Sequence, residues 1–160
     1  MSTEAEQKSV ADVVAMLRKQ HVAMMTTIDR DAMVSRPMGV QRIDDDATVW
    51  FFALADSDKA RQIAADPRTN LAFTNGDQLS VSGTAVIVKD QAVIDELWDK
   101  GVEAWMQCEP TDPKVALIRV DADSVGYWDT PNAAGTLLEV AKGVLGGTRP
   151  QAGESGVVEV

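Results

Sequence analysis

Residues 33–63, MVSRPMGVQRIDDDATVWFFALADSDKARQI, decide how this chain is read. They read as a strand, an acidic turn, a second strand and the start of a helix. Pro37 interrupts the first strand, which places it at a sheet edge or a bulge. In Thr48–Leu54, Trp50 and Phe52 share one face and Val49 and Phe51 the other, so this strand is expected to be buried on both sides. Arg36 lies within the first strand, and Ser57 and Lys59 lie where the second gives way to the helix. If the strands pair, these three residues converge. A guanidinium, a hydroxyl and an ammonium beside free helix-start amides suit a phosphate group.

Outward from this stretch, residues 4–19 have the three- and four-residue apolar spacing of a helix, through Val10, Val13, Val14 and Leu17. His21–Ile28 is strand-like. Ser57–Ala65 reads as a short helix with Ala60, Ile63 and Ala64 on its inner face, stopped by Asp66 and Pro67. Asn75-Gly76-Asp77 predicts a hairpin between Leu71–Thr74 and Gln78–Val88, and Gly83 predicts a bulge or a close approach in its second arm. One helix is expected over Gln91–Met106, with Trp98 and Trp105 a heptad apart on one face. Two strands follow, Val115–Val120 and Ser124–Trp128, then a helix over 133–145 and a polar tail with a short final strand. Short connections between strands favour a mainly β architecture, an antiparallel barrel with flanking helices, as a single domain over 1–160.

Net charge is −10 with 45% apolar residues, so the chain has material for a core but no basic surface for nucleic acid. A single pocket on an acidic protein can still be locally positive. No apolar run approaches the roughly 18 residues of a membrane span, and the acidic N-terminus is not a secretory signal, which makes cytoplasmic the expected location. Cys108 stands alone, without a basic neighbour to make a thiolate; no metal site is expected, and His21 is read as structural. GxGxxG, GxxxxGK[ST] and HExxH motifs are missing.

The ordered series Ser35-Arg36-Pro37-Met38, VWFFALADSDKARQI, LSVSGTAVIV, EAW, DPKVALIRV and GYWDTP, with the tail LGGTRPQAGE, resembles the general stress protein branch of the pyridoxamine 5′-phosphate oxidase-like flavoproteins. The resemblance runs from about Val10 to Pro150. It implies an FMN-binding split β-barrel, a homodimer with flavin sites at its interface. It further implies that Arg36, Pro37, Met38 and Gly39 run along the flavin, with Arg36 against its phosphate or its ring edge, and that the backbone of Phe52 and Ala53 meets its ring system. Ser57 and Lys59 would hold its phosphate, Gln78 would approach the ring, and Trp128, supplied by the second subunit, would lie near it with Trp105 at the same mouth. Phe51 and Trp128 are expected to cover apolar surface between subunits.

Against the oxidases proper, Asp58 stands where an arginine precedes the phosphate lysine, Gln41 stands for a lysine, and TPNAAGTLLEV lacks the arginine–histidine pair that grips the substrate phosphate. The resemblance therefore implies a flavin-dependent oxidoreductase with a small substrate other than pyridoxamine phosphate. The alternatives are a non-catalytic protein that buffers or senses flavin, and a barrel without flavin. FAD or a deazaflavin are alternatives to FMN.

Overall fold

In the computed structural model of the protein, residues 7–129, 133–147 and 153–160 are described, with backbone alone at 133–136 and 139. The loop at Thr130-Pro131-Asn132, the helix expected over residues 4–6, and residues 148–152 of the tail lie outside the described residues. The first helix, α1 (Val10–Leu17), starts later than its apolar spacing suggests. The Ser9 side chain accepts from the Asp12 amide while the Asp12 carboxylate accepts from the Ser9 amide, a reciprocal cap that fixes the start.

Then follow β1 (Val22–Asp29), β2 (Ala32–Gly39), β3 (Arg42–Ile43), β4 (Val49–Leu54), α2 (Asp58–Ala65), β5 (Arg68–Phe73) and β6 (Gln78–Val88). After them come α3 (Gln91–Leu97), α4 (Lys100–Met106), β7 (Val115–Trp128), α5 (Ala133–Gly146) and β8 (Ser155–Glu159). The strands form one antiparallel sheet in the order β2-β1-β5-β6-β7-β4-β3, with β8 also on β7. Its two end strands, β2 and β3, are consecutive in the chain and joined through Val40 and Gln41. The Val40 amide donates to His21 and the Gln41 amide to Trp50, so this short link turns the sheet back on itself. The result is a split barrel with flanking helices. Pro37 sits on the edge strand β2, opposite Met24, one residue out of step with the bonded positions, where a missing N–H costs no ladder bond.

β4 is buried on both faces, as its composition requires. Val49, Phe51 and Ala53 enter the barrel core with Leu17, Met25, Leu71 and Ile118. Trp50 and Phe52 face outward beneath α3 and α4, with Ile94, Val102 and Leu117. Phe51 is 0% exposed, so it is a core residue and cannot cover a subunit interface.

Three expectations fail for local reasons. Residues 91–106 form two helices, not one. Asp99 accepts from the Val102 amide at 2.8 Å and caps α4, which breaks the run after Trp98. Trp98 then packs edge-on against Phe52, at 5.4 Å and 87°, while Trp105 is 90% exposed; the two share no face. The two expected strands after Val115 are one, because β6 stays paired with β7 on both sides of Asp123, the residue passed over at the register shift. On α2, Gln62 rather than Ala64 joins Ala60 and Ile63 on the buried side. Gly83 behaves as expected, with a register shift at Ser82/Gly83 where β6 approaches Asp121 closely.

Candidate functional site

Side chains alternate along β2. Arg36 and Met38 turn inward, whereas Pro37 and Gly39 face out. Across β1 and α2, the Arg36 guanidinium meets three uncharged acceptors. Its Nη1 donates to Thr27 Oγ1 at 2.7 Å and to the Met25 carbonyl at 3.4 Å, and its Nη2 donates to Gln62 Oε1 at 2.8 Å. The Thr27 hydroxyl donates to the same Gln62 oxygen at 2.8 Å. Among the described residues, no carboxylate pairs with Arg36.

Lys59, in the first turn of α2, makes no hydrogen bond or ion pair among the described residues. Its pKa is held below the ordinary lysine value, first by burial and then by the charge of Arg36; Asp58 pushes the other way. Arg36 is likewise pushed down by burial, yet an arginine stays charged. Asp58, which stands beside Lys59 in sequence, is exposed and paired with Arg61 at 3.0 Å. Two neighbouring cations, both partly desolvated and neither matched by an acid, thus stand at the start of an eight-residue helix. The amides of Asp58 and Lys59 there have no acceptor among the described residues. This is the electrostatic profile of an anion site.

Ser57 caps α2. Its hydroxyl accepts from the Ala60 amide at 3.4 Å and donates to the Leu54 carbonyl at 2.7 Å. Its one proton is therefore committed to the backbone. Phe52 and Ala53 lie on β4, which contacts β2 where the sheet turns back on itself. Phe52 directs its ring to Trp98, which leaves the backbone of this segment as the part able to meet a ligand.

Gln78 and Trp128 are cross-strand neighbours at the far end of β6 and β7, and Trp128 is 50% exposed. They are remote from Arg36 within one chain. Arg36 is in row with Met25, Leu71, Val81 and Val125, four strand steps around the sheet. Trp128 is three residues beyond Val125, and it is eight residues beyond Val120, the last β7 residue paired with β4. The fold thus collects Arg36, Pro37, Met38, Gly39, Phe52, Ala53, Ser57 and Lys59 in one region and Gln78 with Trp128 in another. Trp105, on the outside of α4, belongs to neither group by packing. Two residues that hydrogen-bond to Arg36, namely Thr27 and Gln62, are not marked by the sequence pattern. The spacing of Gln62 from Lys59, three residues on one helix, was the available signal.

The sequence profile of the family described as pyridoxamine 5′-phosphate oxidase like matches residues 8–151. The chain belongs to this family. A crystal structure of a protein described as general stress protein 26 from Jannaschia sp. CCS1 superposes with a TM-score of 0.74 at 26% identity, covering 92% of this chain and 95% of that one. The general stress FMN/FAD binding protein of Xanthomonas citri gives a TM-score of 0.67 at 28% identity, over 76% and 88% of the two chains. Protein bli-3 of Neurospora crassa is 29% identical over 155 residues, 88% of this chain and 74% of its own. No described helix is long and apolar enough to cross a membrane.

Proposed function

We propose that this protein binds FMN, with the phosphate at the start of α2, and that it acts as a flavin-dependent oxidoreductase on a small substrate other than pyridoxamine phosphate. The observation that carries the reading is the pair Arg36 and Lys59, two partly buried cations without an acidic partner among the described residues. Family membership and the likeness to an FMN/FAD-binding protein support a flavin as the owner of the phosphate. In this reading Lys59, Arg36 and the first-turn amides hold the phosphate. The backbone of Met38, Gly39, Phe52 and Ala53 lines the ring system. The flavin supplies hydride transfer, and the protein supplies its orientation and electrostatics.

The test is titration with FMN, FAD and riboflavin. Binding of FMN at about 1 μM or tighter is expected. No binding of FMN or FAD sinks the proposal. Reduction of bound FMN by NADH or NADPH, followed by turnover with an electron acceptor, tests the oxidoreductase half. Reduction without turnover favours a flavin buffer or sensor.

A homodimer with two flavin sites at its interface is part of the proposal. Its support is the separation of the two residue groups along the sheet of one chain, which a second copy would bridge by bringing its Gln78 and Trp128 to Arg36 and Lys59. Exposed apolar side chains at Val22, Met24 and Met33, and at Leu137, Val144 and Leu145 of α5, supply surface for such contact. Sedimentation at tens of micromolar is expected to give a dimer. A flavin-bound monomer overturns the shared site.

A further inference from the structure

We infer that Thr27 and Gln62 are positioning residues, which fix the Arg36 guanidinium with uncharged acceptors so that its whole positive charge faces the ligand anion. The inference deepens the flavin reading and rests on it. Thr27 is 0% exposed and Gln62 7%, so the bonds among the three residues are shielded from water. Every acceptor in the cluster is neutral. Gln62 Oε1 takes one proton from Arg36 and one from Thr27, each at 2.8 Å, and the Thr27 oxygen takes a second from Arg36 at 2.7 Å.

The chemistry of the acceptor decides what the cluster can do. A carboxylate at position 62 would hold the same guanidinium at least as firmly, but it would cancel the charge there. A glutamine anchors the group and leaves it cationic. Of the five guanidinium N–H donors, two are spent on Thr27 and Gln62 and a weaker third contact goes to Met25; the others stay available to an anion. Gln62 lies one turn after Lys59 on α2, so one helix both carries one cation and aims the other. Thr27 ties that arrangement to β1 on the opposite side.

The test is the ratio of FMN to riboflavin affinity in two variants. Gln62→Glu keeps size and an acceptor but adds a negative charge. It is expected to weaken FMN at least tenfold while riboflavin changes less than twofold. Thr27→Val keeps shape but removes the hydroxyl; it is expected to weaken FMN severalfold, again with riboflavin little changed. Thr27→Ser should restore the wild-type ratio. A residue of purely structural importance would lower both affinities together. If wild type prefers FMN and the folded variants keep that preference, the positioning role is overturned and the flavin reading stands. If Gln62→Glu does not fold, Thr27→Val decides by the same criterion. Wild type binding neither flavin overturns the flavin reading and this assignment with it.

Discussion

Lys59→Ala is expected to weaken FMN binding about tenfold to a hundredfold while riboflavin affinity stays nearly constant. A charge-assisted contact shielded from water is worth about 1.5–3 kcal/mol, and each 1.4 kcal/mol is a factor of about ten in affinity. The full range applies here because Lys59 makes no ion pair among the described residues; Asp58 is bonded to Arg61 and acts on Lys59 only as a nearby charge. Riboflavin lacks the phosphate and so should not register the loss.

The pH dependence follows from the same residue. In the free protein its pKa lies below 10.5, through burial and Arg36. A phosphate beside the ammonium raises it, so the complex holds the lysine proton more tightly than the free protein does. FMN affinity is therefore greatest below the free-protein pKa and falls as pH rises through it. The fall should vanish in Lys59→Ala. Paired titrations with FMN and riboflavin across pH check both statements, and equal losses for the two ligands would remove Lys59 from the phosphate site.

Gly83→Ala should cost about 3 kcal/mol of folding stability, at the upper end for overpacking. A Cβ built there lands on the backbone oxygen of Asp121, with the Asp121 carbonyl carbon at 2.9 Å and Ala122 Cα at 3.1 Å. These are backbone atoms of the paired strand β7, so no rotamer change relieves the clash. For a chain of this size the expected drop in Tm is about 6–12 °C. Gly76→Ala is the control. At φ +84° with nothing within 4 Å, it should cost only about 1–2 kcal/mol, from the left-handed backbone. Equal midpoints for the two variants in denaturant unfolding would show that the close approach at Gly83 is relieved by other means.

The legible parts of the fold were those where one residue type has one physical use. Asn75-Gly76-Asp77 could only be a tight turn, and the apolar run Val49–Leu54 had to be covered on both faces. Gly83 was readable because a glycine inside a strand has few other reasons to be there. The helix over 91–106 was misread because an aspartate inside an apolar pattern resembles an exposed position until its side chain is seen to cap the next turn. Asp121 and Asp123 hide the continuity of β7, because side-chain polarity says nothing about whether the backbone is in a strand.

Half of the candidate site is legible in the sequence. Lys59 and Arg36 stand out because unmatched cations near a helix start have an evident electrostatic use. Ser57 looked like a phosphate ligand by type, but its proton goes to Leu54, a choice made by backbone geometry. Gln62 was overlooked since a glutamine on a helix is ordinary unless its burial is known. Trp98 and Trp105 show the limit of heptad spacing, which holds only while the helix is continuous.

The pairing of β4 with β7 also sets an order of events during synthesis. The stretch from Leu54 to Val115 must leave the ribosome before Val49–Leu54 meets its long partner, Val115–Val120. At translation rates of about 5–20 residues per second, that delay is about 3–12 seconds. Throughout it, the most apolar strand of the chain has only the two-residue β3 to pair with. Until Val115–Val120 emerges, the nascent chain carries this apolar segment without its long partner, and the barrel core cannot close.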